Sequence, residues 1–224
     1  MTPQQFTRTL QVMDSFFPVG AFAYSDGLET ATTSRTNDPE LLAGWLQHYV
    51  ESVFIPCDGL ALLKCARAIE SKDWAAIRSL DEELTAMKPA AAVRASSISI
   101  GKRLLATYTS MFSAGELLPL IGSLPRSNAA IAYAIVFSDI GLDRRASLHA
   151  YGYARLCGIV SAALRLMPLG QLRGQALLSE VVDSLPGAVE RILGSEAEPL
   201  RAFAPRMDIQ QMNHQYIYSR LFRS

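Results

Sequence analysis

His48, His149 and His214, with Cys57, Cys65 and Cys157, are the residues that would have to supply a metal site or a nucleophile in this sequence. A transition-metal site needs several imidazole, thiolate or carboxylate groups converging on one ion, and neither C-x-x-C nor H-E-x-x-H spacing occurs. Cys57 and Cys65 stand among apolar residues and read as core cysteines. His48, beside Trp45 and Tyr49, and His149, among small residues, read as structural or surface groups. A site made by one histidine from each of two subunits stays open, but nothing in the sequence requires it. Phosphate chemistry lacks its loop: no G-x-x-x-x-G-K-[ST] is present, and Gly101-Lys102 has neither a glycine-rich turn before it nor a hydroxyl after it, so no binding or hydrolysis of GTP is expected. No G-x-S-x-G elbow occurs, and Ser25 has no local base. The acidic run Asp81-Glu82-Glu83 reads as a solvated helical face. The expectation is a protein that is not an enzyme, with no catalytic residues, cofactor or metal.

Composition narrows the partners. Formal net charge is zero and the pI about 6.8, which lacks the electropositive field that nucleic-acid binding needs. A 50% hydrophobic chain of this length can bury one substantial core, and no linker divides it. The charged fraction of 19% is low for a free surface and points to faces covered by other proteins. An odd number of cysteines in apolar surroundings favours reduced thiols and a cytoplasmic location. No leader-like start and no run of about 18 apolar residues is present, so no membrane association is expected.

Two segments exceed what packing asks for. Pro18 to Glu29 is a loop of small residues in which Gly20 and Gly27 hold turns and Phe22, Tyr24 and Leu28 dock. Met207 to Ser224 carries Met212, Tyr216, Tyr218, Leu221 and Phe222 together with Arg206, Arg220 and Arg223. Chain ends are normally polar and frayed, whereas Tyr, Met, Phe and Arg are the residues of interface hot spots. Either this tail binds a partner or it folds back onto its own core.

The elements that must position these segments are helices. Thr2, Pro3 and Gln5 form a capping box before Phe6, Leu10, Met13 and Phe17, a stripe that Pro18 ends. Asp26 and Glu29 match a second capping box for a short helix through Leu28. Asp38 with Pro39 opens a helix carrying Leu42, Trp45, Leu46, Tyr49 and Val50, stopped at Pro56. Asp58 opens the next, and Asp73 caps one that ends at Pro89. Ala90 to Phe112 reads as one long helix, with Ser96, Ser97 and Gly101 allowing a neighbour to approach. A turn region holding Gly115, Pro119, Gly122 and Pro125 follows. An apolar helix then runs from Ser127 to Phe137, and another from Asp143 bears Ala146, Ala150, Ala154, Gly158 and Ala162, a pair expected at the centre of the bundle. Helices through Leu177 to Val182 and from Pro186 to Ile192 follow, and Ser195 to Asp208 reads as a loop or arm. The expected fold is all-α: a single compact bundle of roughly nine or ten helices over 1–204, with an extended C-terminal partner-binding tail over 205–224.

At these same segments the chain resembles the urease accessory protein UreF family. The stretch Phe16-Phe17-Pro18-Val19-Gly20-Ala21-Phe22-Ala23-Tyr24-Ser25-Asp26-Gly27-Leu28-Glu29 is similar to its N-terminal signature, with Ala21, Ala23 and Asp26 at positions that usually carry glycine, serine and glutamine. Pro168-Leu169-Gly170-Gln171 with Gln175 continues the likeness, and Tyr218-Ser219-Arg220-Leu221-Phe222-Arg223-Ser224 agrees with the terminal motif throughout. Just upstream, His214 is kept, while Asn213, Gln215, Tyr216 and Ile217 depart from the usual arginine, glutamate, threonine and glutamine. The resemblance implies a cytoplasmic, usually dimeric helical protein that bridges a UreD-type (UreH in some organisms) accessory protein and the UreG-type GTPase during nickel insertion into apo-urease. It associates the tail with the UreD-type partner, which makes Tyr216, Tyr218, Arg220, Leu221, Phe222, Arg223 and His214, with Phe22 and Tyr24, the candidate partner-binding residues. A nickel-binding metallochaperone and a stand-alone regulator of a GTPase are the competing functions.

Overall fold

A computed structural model describes residues 1–33, 39–112 and 115–223, and among them the regular structure is entirely helical. Helix α1 (Pro3–Met13) starts with the expected box: the Thr2 N–H donates to Gln5 Oε1 (2.7 Å) and the Gln5 N–H to Thr2 Oγ1 (3.2 Å). Only the end of its apolar stripe, at Met13, reaches the core. Phe6 and Leu10 are half exposed, and α1 is held instead by buried Val12, by Gln5 Nε2 donating to the Gly141 carbonyl, and by the Arg8 guanidinium 3.6 Å over the Phe112 ring. The helix ends before Pro18, and Phe17 is buried from the loop that follows.

Helix α2 (Leu28–Thr32) begins at a left-handed Gly27, and neither Asp26 nor Glu29 caps it. Both carboxylates are used elsewhere, as described below. Helix α3 (Pro39–Tyr49) buries Leu42, Trp45, Leu46 and Tyr49 as its spacing predicts; the Asp38 cap lies outside the described residues. Pro56 does not stop this rod. The backbone widens into a π-helical segment, Val50–Gly59, and continues as α4 (Leu60–Glu70). Proline lacks the donor a helix interior uses, and the wider winding accommodates it. The Pro56 carbonyl accepts from the Arg201 N–H at 2.9 Å, so the oxygen freed by the irregular winding is satisfied from a distant loop. Asp58, inside this segment, opens nothing.

Helix α5 (Trp74–Ala86) is capped by Asp73, whose side chain accepts the Ala76 N–H. Asp81, expected on a solvated face, is fully buried. Its carboxylate accepts the backbone N–H groups of Arg126, Ser127 and Asn128 at 2.7–2.8 Å, and Asn128 Nδ2 as well, so it organises the turn that launches the next long helix. Helix α6 (Ala91–Met111) is unbroken through Gly101, where a Cβ would lie 1.9 Å from the Ser127 carbonyl oxygen. That contact is the close approach its small residues predict. The turn region contains a further short helix, α7 (Leu118–Ser123), with Pro119 in its first turn. Proline there supplies a preset φ and costs no hydrogen bond.

Helix α8 (Ala129–Ile140) is buried on every side from Ala129 to Phe137 and is enclosed chiefly by α6 and α4. A helix apolar all round must be surrounded. The expected central partner, α9 (Arg144–Leu166), packs more against α10 (Gln171–Val182) and α11 (Leu185–Gly194) than against α8. Its repeat of small residues turns partly outward: nothing stands within 4 Å of where a Gly158 Cβ would be. The tight approach is at Gly152, whose Cβ would meet Leu185 and Phe54. The last helix, α12 (Pro205–Asn213), starts at a proline that the periodicity leaves in a loop, and it packs on α2 and α6. The segment from 205 is therefore helical through Tyr216, and only residues 217–223 are extended or bent.

All three cysteines are free. Burial pushes the Cys57 thiol up to about 12 and the Cys65 thiol higher still; Cys157 is half buried and also raised by burial, against a lowering hydrogen bond with Tyr153. A raised pKa keeps the thiol neutral and unreactive. Labelling of the folded protein with a thiol reagent at about pH 8 should be slow and confined to Cys157, with all three modified in denaturant. Rapid native-state labelling of Cys57 or Cys65 would show that their burial is wrong.

Candidate functional site

The chain end is tied to the Pro18 to Glu29 loop by one carboxylate. Glu29 is buried in the second residue of α2, and its side chain reaches the tail. Glu29 Oε2 lies 2.6 Å from His214 Nε2; the Leu221 N–H donates to Oε1 (2.6 Å) and the Phe222 N–H to Oε2 (3.2 Å). Charge-assisted bonds of this kind are stronger than neutral ones. The Arg223 N–H donates to the Ala23 carbonyl (2.8 Å), the Arg165 guanidinium donates to the Phe22 carbonyl, and Arg165 Cζ stacks 4.1 Å over the Phe222 ring. Burial of Phe222 at 4% exposure completes the seat.

What remains outside is apolar and aromatic. Tyr218 is fully exposed, Tyr216 is 78% exposed, Leu221 61% and Phe22 45%, while Arg220 and Arg223 point to solvent. Along α12 and the 3-10 turn that follows it (His214–Tyr216), Ile209, Met212 and Tyr216 are exposed, while Met207, Gln211 and His214 face inward. One face of this helix is thus committed to the core and the other is left apolar in water.

Beneath α12 lies a buried polar centre. Asp26, with φ of +52°, turns its carboxylate inward to pair with the Arg155 guanidinium, a left-handed conformation that aspartate tolerates better than most residues. Arg155 Nε donates to Tyr49 Oη (3.3 Å), Tyr151 Oη donates to Asp58 Oδ2 (3.4 Å), and Lys88 Nζ donates to Asp58 Oδ1 (2.6 Å). Gln211 Nε2, from α12, donates to the Asp26 carbonyl (3.3 Å). These groups line a cavity of about 40 Å³. Burial, aided by the nearby Asp58 charge, pushes the phenols of Tyr49 and Tyr151 far above their ordinary range; Arg155 opposes this at both. Both stay neutral hydroxyls at any physiological pH. Each charge here is paired, as buried charges must be, so the centre offers no unpaired base or nucleophile. Among the described residues no group of three or more His, Cys, Asp and Glu side chains is placed to hold a metal ion, and no helix is long and apolar enough to cross a membrane.

Comparison with known proteins places this arrangement. The UreF family model matches residues 36–182. The urease accessory protein UreF of Rhodopseudomonas palustris (strain HaA2) is 32% identical over 222 residues, covering 97% of this chain and 92% of that protein. Its counterpart in Lachnoclostridium phytofermentans is 30% identical over 220 residues, and that in Microcystis aeruginosa 32% over 217, each alignment covering 96% of both chains. The chain belongs to the UreF family.

Of the candidate residues drawn from the sequence, Tyr216, Tyr218, Arg220, Leu221 and Arg223 lie on the surface of this UreF-family protein, and Phe22 lies beside them through Arg165. Tyr24 is half buried. His214 and Phe222 face inward: the first is spent on Glu29 and the second is seated under Arg165. Both side chains are buried against other parts of this chain. Sequence reasoning missed Glu29, Arg165 and the Asp26–Arg155 pair. The capping-box pattern gave Asp26 and Glu29 a local use, and nothing local marks a partner 185 residues away.

Proposed function

We propose that this chain is a urease accessory protein that works in urease maturation without catalysing a reaction, by bridging a UreD/UreH-type protein and the UreG-type GTPase on apo-urease. In this reading it acts in the cytoplasm as a homodimer, and the GTPase supplies the nucleotide-dependent step of nickel delivery. Residues 205–224 form the UreD-type docking segment. The observation that carries the reading is the exposed Tyr216, Tyr218 and Leu221 on a tail whose backbone is already fixed by Glu29. Large aromatic and aliphatic side chains on a pre-ordered backbone are what an interface hot spot requires, because little ordering entropy is left to oppose binding.

Two variants test it. Deleting the last dozen residues should abolish co-purification with the UreD-type protein and urease activation. Because deletion also unseats Phe222, the triple change Tyr216→Ala, Tyr218→Ala, Leu221→Ala is the cleaner probe: all three side chains are exposed, so the melting temperature should hardly change. Affinity should fall by about 100-fold or more if each anchor contributes about 1–2 kcal/mol. Unchanged affinity and activation with the triple variant would remove the tail from the proposal.

A further inference from the structure

Charge is not spread evenly over the exposed arginines. Away from the tail, Arg67 and Arg144 pair with Glu196, Arg145 with Glu190, Arg173 with Glu180, Arg191 with Glu51 and Arg201 with Glu198. Around the tail, as at Arg126 elsewhere, no such pair forms among the described residues. Arg220 and Arg223 flank Leu221 and Phe222, Arg165 lies on the Phe222 ring, and the Arg103 guanidinium sits against Gly20, close enough that a Cβ there would be 2.3 Å from it. No carboxylate of the described residues forms an ion pair with any of these four.

The acidic groups near them are already occupied. Glu29 is buried and holds His214 and two backbone N–H groups, Asp26 is buried against Arg155, and Asp14 accepts the Phe16 N–H. Residues 214–223 contain no acidic side chain at all. A neutral chain thus concentrates uncompensated guanidinium charge where its exposed Tyr and Leu side chains stand.

Resting on the reading above that this face docks a protein, we infer that the partner surface it takes is acidic: a hydrophobic groove rimmed by Asp and Glu side chains that accept from Arg220, Arg223, Arg165 and Arg103. Guanidinium groups bind carboxylates with two parallel hydrogen bonds, and the apolar anchors between them need a groove that only a folded partner supplies. Opposite charge at an interface rim acts mainly on encounter, raising the association rate at low salt.

The test is the association kinetics of the full chain with its cognate UreD-type protein at about 50 mM and about 500 mM NaCl, a range over which screening shortens several-fold. The association rate should fall about 10-fold or more across it. The double change Arg220→Glu, Arg223→Glu leaves the backbone bonds to Glu29 and Ala23 intact. It should lower the low-salt association rate about 10-fold and flatten the salt dependence. Tyr218→Ala with Leu221→Ala should instead raise the dissociation rate and keep the salt slope. An association rate that ignores salt while affinity is retained overturns the acidic partner and leaves the docking face standing. Absence of binding by the unaltered chain at either salt overturns the docking face and the acidic partner together. Displacement of the UreD-type protein by a single-stranded oligonucleotide overturns the assignment of this patch to a protein carboxylate surface.

Discussion

Replacing Lys88 with methionine should lower the stability of the fold by about 3–5 kcal/mol, measured by urea unfolding. Lys88 and Asp58 are both buried, and their 2.6 Å contact is the ammonium's one recorded bond. Methionine matches the length of the lysine stem but leaves the Asp58 carboxylate with only the Tyr151 hydroxyl, at 3.4 Å. An uncompensated buried charge is far more costly than a missing pair. The double change Lys88→Met, Asp58→Asn should therefore recover most of the loss, and the interaction between the two sites should exceed about 1 kcal/mol in a double-mutant cycle. Burial lowers the Lys88 pKa, but Asp58, through its charge and its hydrogen bond, outweighs this, so it ends above its ordinary 10.5. The sign follows: a raised lysine contributes stability below its unfolded pKa and loses it as pH climbs through the folded value. Across neutral pH the cost of Lys88→Met should thus be constant. A single change that costs under about 1 kcal/mol would show that the pair is solvated.

Glu29→Ala should release the chain end while the helical body stays folded. The change strips His214 of its partner and leaves two N–H groups unbonded, that of Phe222 in a buried setting and that of Leu221 in a part-buried one. Each such group costs about 1–3 kcal/mol, more than a short tail can absorb, so local detachment is the cheaper outcome. Trypsin should then cut after Arg220 at least about 10-fold faster than in the unaltered protein, since cleavage follows the population of the open form. Cuts within α5, α6 or α8 should not accelerate. UreD-type affinity should fall with the loss of pre-order even though every exposed anchor is retained. Glu29→Gln, which keeps an acceptor for one N–H, should lie between. Equal cleavage rates in all three proteins would mean that the tail is held by Phe222 and Arg165 alone.

Helix existence was largely legible because local chemistry and periodicity agree along most of this chain. Thr2 with Gln5, Asp73 and Asp143 all cap where the pattern puts them, and the run from Ala129 to Phe137 is apolar enough to require enclosure. Pro56, Pro119 and Pro205 mislead for one reason. Proline ends a helix only when its missing donor and its ring cannot be accommodated, and a π-helical winding or a first-turn position accommodates both. The Phe6 and Leu10 stripe misleads differently: periodicity marks an apolar face but does not say that this chain covers it.

The aromatic and arginine-rich composition of the chain end, its likeness to the UreF terminal motif and the absence of catalytic spacings were properties of the sequence alone. They follow from residue types in order, and no tertiary contact is needed to read them. Which of those residues face outward was decided only by the fold. Glu29, Asp26, Asp58 and Asp81 each stand where a local role as cap or solvated acid is reasonable, and each is instead buried against a partner distant in sequence. A carboxylate binds whatever donor the folded chain brings within about 3 Å, and that distance depends on helix packing across the whole molecule rather than on neighbours along the chain.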